Sequence, residues 1–185
     1  MQLGPGAPTP TTFKEASVTN LFYWMNKAHD MFYAVGFDEQ AGNYQNQNFG
    51  RGGVDGDAIF AYAQFGIASN ATAQMDNAFF LTDRDQEDGA RSSINMFLSG
   101  SRDERLFSDS AYDAEVIVHE YGHAVSNRVV RNLDTWHGGA MGEAWSDFYG
   151  LEFTLPVNSL RRSLSHRRIF YPELRGWHSE PALLK

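Results

Sequence analysis

The 185-residue chain contains no cysteine. That absence excludes a disulfide framework and any thiolate metal site, and leaves the redox compartment unread. No apolar run approaches the roughly 20 residues a membrane-crossing helix needs, so no membrane partner is expected. The opening residues, Met1-Gln2-Leu3-Gly4-Pro5-Gly6-Ala7-Pro8-Thr9-Pro10, lack a basic stretch followed by an apolar one, and no signal peptide is read in them. Basic residues are scarce over most of the length. Residues 1–156 hold 9 Lys/Arg against 21 Asp/Glu, a net charge of −12. Phosphate binding needs the opposite sign, which argues against a nucleic-acid partner. The Gly-rich stretch around Gly50-Arg51-Gly52-Gly53 contains no G-x-x-x-x-G-K-[ST], so it is read as turn and not as a phosphate cradle.

What is present is concentrated in His119-Glu120-Tyr121-Gly122-His123. On a helix, residues four apart share a face, so His119 and His123 can reach one metal ion. Glu120 stands beside that pair, where a general base for water activation belongs. The flanking residues predict a helix. Val116, Ile117, Val118, Tyr121, Ala124 and Val125 supply a broad apolar face. Asp113 is the expected N-cap with Glu115 in the first turn, Arg128 and Arg131 suit the negative C-terminal end, and Asn132 can close it. A catalytic Zn²⁺ site needs a third protein ligand and an open position. Glu143, in Gly142-Glu143-Ala144-Trp145-Ser146-Asp147, is the candidate ligand. Asp147, four residues on, can accept the second ring N–H of a ligating histidine and fix its tautomer. Without a metal, the same residues would be ordinary helix histidines and a solvated acidic face.

H-E-x-x-H followed by G-E-x-x-S-D resembles the thermolysin-like gluzincin metallopeptidases. The longer stretches His119–Arg128 and Gly138–Phe148 resemble the fungalysin family, as do Asn48-Phe49-Gly50-Arg51-Gly52-Gly53 and the aromatic segment ending His29-Asp30. The resemblance implies that His119, His123 and Glu143 bind zinc and that Glu120 is the catalytic carboxylate. It also implies that Asn77-Ala78 begins an edge strand that pairs with extended polypeptide substrate, and that the protein is secreted. Such a family continues into a helical second half that completes the cleft and supplies an oxyanion-stabilising histidine. Most of that half is expected to be missing here.

The chain divides into a flexible N-terminal segment at 1–12, a zincin-like core of α+β class at 13–156, and a tail at 157–185. The tail holds 6 Lys/Arg and 2 Asp/Glu, a reversal of charge whose origin stays open. A first helix is predicted over Leu21–Tyr33, capped by Ser17 or Thr19 and ended by Gly36. His29 within it is read as a hydrogen-bonded structural residue. Strands are predicted over 58–65, 77–82 and 94–98, forming a small antiparallel sheet. The acidic loop 83–89 and residues 102–105 are read as solvated turns, and 133–139 as a loop with His137 lining the cleft. Neither His166 nor His178 is marked as an electrophile.

Three functions are therefore expected in competition. The first is a zinc-dependent metalloendopeptidase with Glu120 as general base. The second is a weakly active or inert zinc-binding fragment of one. The third is a non-enzymatic binding module.

Overall fold

A computed structural model describes residues 12–66, 76–82, 88–101, 106–130 and 133–155. Readings that concern 1–11, 83–87, 102–105, Arg131, Asn132 and the tail from 156, with His166 and His178, lie outside the described residues. The class is α+β, with three α-helices and two small sheets among the described residues.

Helix α1 spans Lys14–Ala34 and buries Leu21, Met25, Ala28 and Phe32, one residue per turn. It starts earlier than the sequence suggests. Phe13 stands at the N-cap without a side-chain hydrogen bond, and neither Ser17 nor Thr19 caps. Ser17 is instead fully buried and donates to the Asp109 carboxylate across the core. Thr19 donates to the Glu15 carbonyl at 2.8 Å. Tertiary burial thus outweighs the local capping preference of serine. The C-terminus follows its prediction. Gly36 has φ 104°, its N–H reaches the Tyr33 carbonyl at 3.0 Å, and the Phe37 N–H reaches the Phe32 carbonyl at 3.0 Å. That paired closure needs a left-handed residue, which glycine adopts without penalty.

The main sheet has the order β1-β3-β2, from β1 (Phe60–Tyr62), β2 (Ala78–Thr82) and β3 (Ser92–Met96). Strand β2 runs antiparallel to β3, with Phe80 opposite Ile94, but β1 runs parallel to it, with Ala61 opposite Ile94. The sheet is therefore mixed, and the expectation of a purely antiparallel one is corrected. Alternation and turn signals locate strands but carry no information on direction. β1 joins the far side of β3, which leaves β2 as an edge. A second sheet pairs β4 (Leu98–Ser101) with β5 (Leu106–Asp109), a hairpin the sequence reading missed.

Helices α2 (Ala114–Val129) and α3 (Trp136–Thr154) follow a 3-10 turn at Ser110–Tyr112. Ile117, Val118, Tyr121 and Ala124 of α2 join the α1 residues and Ile94 and Met96 of β3 in one core. Phe32 is its centre. It stacks on Tyr121 at 5.5 Å and meets Tyr149 and Phe153 of α3 edge-on at 4.9 and 5.1 Å.

Loop 37–57 is pinned to α2 by Arg128. The guanidinium is buried, a packing role beyond the helix-end position the sequence suggests. Its Nη1 donates to the Gly42 carbonyl at 2.9 Å and to Asp57 and Asp88 at 3.1 Å each. Its carbon centre lies 4.0 Å over the Tyr44 ring, whose hydroxyl donates to the Ala124 carbonyl. Asp88, read as part of a solvated loop, is thus an ion-pair partner. Burial raises the Asp57 carboxyl above its ordinary range despite the facing cation. Replacing Arg128 with Met would strand the Asp57 carboxylate, whose side chain is 0% exposed. Urea unfolding should show a loss of about 3–5 kcal/mol, partly restored in Arg128→Met/Asp57→Leu.

Candidate active site

Asp113 opens α2 by accepting hydrogen bonds from Glu115 N–H at 3.0 Å and Val116 N–H at 3.4 Å. The apolar stripe of α2 faces the core and sets the rotation of the helix. His119 and His123 are thereby turned to a partly exposed side, while Glu120 is buried at 4% exposure. α3 begins at Trp136, so Trp136 to Gly139 are helical and not loop, as first read. Thr135 provides the start by accepting from the Gly138 N–H at 3.0 Å, a cap signal hidden by the two glycines beside it. His137 falls in that first turn and does not line the cleft.

α3 reaches α2 through a stripe of small residues. Its buried positions are Gly142, Ser146 and Gly150. A Cβ on Gly122 would stand 2.9 Å from the Ser146 Cα, and one on Gly150 would stand 2.9 Å from the Glu115 carbonyl oxygen. This close approach carries Glu143 and Asp147 to the two histidines. His119 Nδ1 lies 2.8 Å from Asp147 Oδ1. Since a carboxylate only accepts, Nδ1 carries the proton, and Nε2 of a neutral ring keeps its lone pair. Nε2 of His119 lies 3.1 Å from Nε2 of His123, and Glu143 Oε2 lies 3.2 and 3.4 Å from the two nitrogens.

Those three separations allow a test of metal fit. A tetrahedral ion with arms of about 2.0–2.1 Å holds its ligand atoms about 3.3–3.4 Å apart. The observed spacings of 3.1, 3.2 and 3.4 Å approach the edges of that figure. The donor set of two imidazoles and one carboxylate also suits zinc. Among the described residues this is the one group of three that could hold a metal ion. Burial lowers the proton affinity of His123, which favours the neutral ring a cation requires.

Glu120 is the buried acid of the site. Burial pushes its carboxyl up to about 7, against the pull of the His119 ring and the Phe80 backbone N–H. Its Oε2 has no hydrogen-bond partner. The residue opens on a cleft of about 650 Å³ between α2 and the edge strand β2. Asn77 and Ala78 line this cleft, as do His119, His123, Glu143 and Asp147, so every sequence-predicted site residue meets there. The sequence reading missed Asp76, Ser99, Ser110 and Asn127, which also line it, and gave Glu115 only a helix-start role. Asp76, Ser99 and Ser110 carry no spacing signal that could have located them, whereas Asn127 follows His123 by four residues on α2 and the helical spacing alone puts it on the same face. His29, by contrast, is tied to Gln45 at 2.9 Å and Asp30 at 3.2 Å away from the cleft, in keeping with its structural reading.

A model of the fungalysin metallopeptidase family (M36) matches residues 2–166, which takes in the first ten residues of the basic tail. Extracellular metalloproteinase 4 of Arthroderma gypseum is 38% identical over 158 residues, 82% of this chain and 23% of the relative. Extracellular metalloproteinase 1 of Trichophyton equinum is 37% identical over 166 residues, 86% of this chain and 25% of the relative. The protein of the same name from Trichophyton rubrum is 37% identical over 166 residues and 24% of its length is covered. The chain thus spans about a quarter of the length of these curated relatives.

The small-residue contact can be tested without any ligand. In Gly122→Ala the added methyl meets backbone on Ser146 and cannot be relieved by a side-chain rotation. A loss of about 1–3 kcal/mol is expected in urea unfolding. Ser146→Gly, which removes a side chain also in contact, should restore part of it.

Proposed function

The chain belongs to the fungalysin metallopeptidase family, and from that premise we propose that residues 13–156 form a zincin-like core acting as a zinc-dependent metalloendopeptidase on polypeptides outside the cell. The observation that carries this reading is one convergence. Two histidine nitrogens and a Glu143 oxygen surround a common point at 3.1–3.4 Å from one another, beside the buried Glu120 carboxyl. His119, His123 and Glu143 would hold the ion. Asp147 would keep the His119 lone pair on Nε2 by accepting the proton of Nδ1. Zinc, when bound, supplies a Lewis acid toward a peptide carbonyl and toward water.

The remaining steps belong to this chain's own groups. Glu120 Oε2, unpartnered in a buried side chain, takes a proton from the attacking water and returns it to the departing amide nitrogen. A carboxyl with its affinity raised to about 7 can both accept and release that proton near neutrality. Strand β2 positions the substrate. The Phe80 N–H acts on Glu120, and backbone groups of residues two apart on a strand face the same way. Ala78 therefore presents its N–H and C=O toward the cleft, where an extended peptide can add as a further strand. The Asn77 backbone carbonyl is occupied by the Phe97 N–H at 3.2 Å, so its exposed side-chain amide is the part left for substrate. An extracellular setting is supported by the names of the relatives. Among the described residues no helix is long and apolar enough to cross a membrane.

The test is zinc content together with hydrolysis of an unstructured protein. The chain should bind zinc stoichiometrically and cleave. Glu120→Gln should keep the zinc and lose about 10²–10⁴ in rate. Zinc binding without cleavage by the parent chain would reduce the reading to a metal-binding unit, and no zinc would overturn it. Asp147→Asn should weaken zinc affinity about 10–100-fold by competitive chelator titration.

A further inference from the structure

Asparagine is a poor helix former, because its amide competes with the backbone for hydrogen bonds. Three asparagines nevertheless lie inside the α-helices, Asn20, Asn26 and Asn127. The two on α1 each use the amide on a carbonyl. Asn20 donates to the Ala111 carbonyl at 2.7 Å, which ties α1 to the 3-10 turn, and Asn26 donates to the Phe22 carbonyl at 2.7 Å. Asn127 differs. Among the described residues its side chain has no hydrogen-bond partner, and it stands half-buried on the wall of the cleft. No contact within the fold offsets the presence of this residue type in mid-helix.

Its position is fixed from two directions. Along α2 it follows His123 by four residues, so the helical spacing continues the face of His119 and His123 to it. Its chain neighbours Ser126 and Arg128 are both buried, and Arg128 is bonded to Gly42, Asp57 and Asp88. The last turn of α2 is therefore held against rotation, and Asn127 is kept to the cleft. Four residues of helix rise about 6 Å, the length of about two residues of an extended peptide. A side-chain amide carries one acceptor oxygen and an N–H donor beside it, the same pair of groups as a peptide unit. It can thus meet the N–H and C=O of a polypeptide main chain whatever side chains that polypeptide bears.

We propose that Asn127 is a substrate-binding residue whose amide hydrogen-bonds the peptide main chain about two residues to one side of the bond that is cut. This deepens the peptidase reading and rests on it. The substrate is then held from both walls of the cleft, by the backbone of β2 and by a side chain of α2. Because the contact lies away from the reacting atoms, it stabilises bound substrate and transition state alike. Its loss is felt in KM and not in kcat.

The experiment compares the zinc-loaded 185-residue chain with its Asn127→Ala variant. The substrate is one unstructured fluorescein-labelled peptide, together with analogues in which a single backbone amide is replaced by an ester, removing one N–H at a time. Alanine is the better helix former, so the variant should unfold at the parent temperature or above it, with zinc content unchanged. Its KM should rise about tenfold while kcat stays within about twofold. In the parent, one ester close to the cleaved bond should lower kcat/KM about fivefold or more. In Asn127→Ala that penalty should vanish while the penalties at other positions persist. An unchanged KM, a loss of thermal stability or zinc in the variant, or ester penalties that match in the two proteins overturns the contact, while continued cleavage leaves the peptidase reading intact. If the parent binds the peptide without cutting it, the peptidase reading fails, and the same comparisons made on Kd by fluorescence anisotropy decide the contact. No binding and no cleavage overturns both.

Discussion

Helices α2 and α3 approach until a methyl group on Gly122 would lie 2.9 Å from the Ser146 backbone, and the site depends on that clearance. The histidines stand on one helix and the carboxylates of Glu143 and Asp147 on the other. Hydrogen-bond distances of 2.8 Å between His119 and Asp147 and near-contacts of 3.2 and 3.4 Å from Glu143 leave little tolerance. A gap of one methyl between the helices would exceed it. Gly142, Ser146 and Gly150 are small at every fourth position for this reason, and they are the buried residues of α3. The packing that joins the helices and the geometry of the site are therefore one constraint.

The remaining structure holds α2 in place. Phe32 of α1 packs against Tyr121 on one side and against Tyr149 and Phe153 of α3 on another, tying both helices to one ring. At the far end Arg128 anchors α2 to the loop through Gly42, Asp57 and Asp88. A buried cation with two carboxylate partners specifies how the loop meets the helix, because an unpaired charge in that setting is expensive. Between these supports the cleft face of α2 carries the titratable groups, and burial rather than neighbouring charge sets the Glu120 carboxyl near 7. A proton acceptor close to neutrality and a metal-fitting donor set arise together, since the same helix rotation that buries Glu120 turns the two imidazoles outward.

Much of this was legible in the residues. The i, i+4 histidines, the Asp113 cap, the Gly36 stop and the apolar period of α2 are local signals, each read within one or two helical turns, and the structure carries them as expected. Glu143 and Asp147 are four apart, so a helix had to place them on one face. The grouping of these residues with Asn77 and Ala78 around one cleft agrees with the resemblance of the motifs, while their roles remain the proposal made above.

What tertiary structure decided is what has no period. Whether β1 joins β3 parallel or antiparallel depends on which edge of the sheet it reaches, and alternation along a strand is blind to that. Ser17 left the cap position its type prefers because the core offered the Asp109 carboxylate. Arg128, near the end of its helix, reaches the buried Asp57 carboxylate and the half-buried Asp88 carboxylate far away in the chain. Asp76, Ser99 and Ser110 came to line the cleft beside α2 from segments that no local pattern links to it. Local chemistry in the sequence determined which groups could act. Packing across long sequence separations decided their spacing, because only the folded chain brings residues from different segments within a few ångströms.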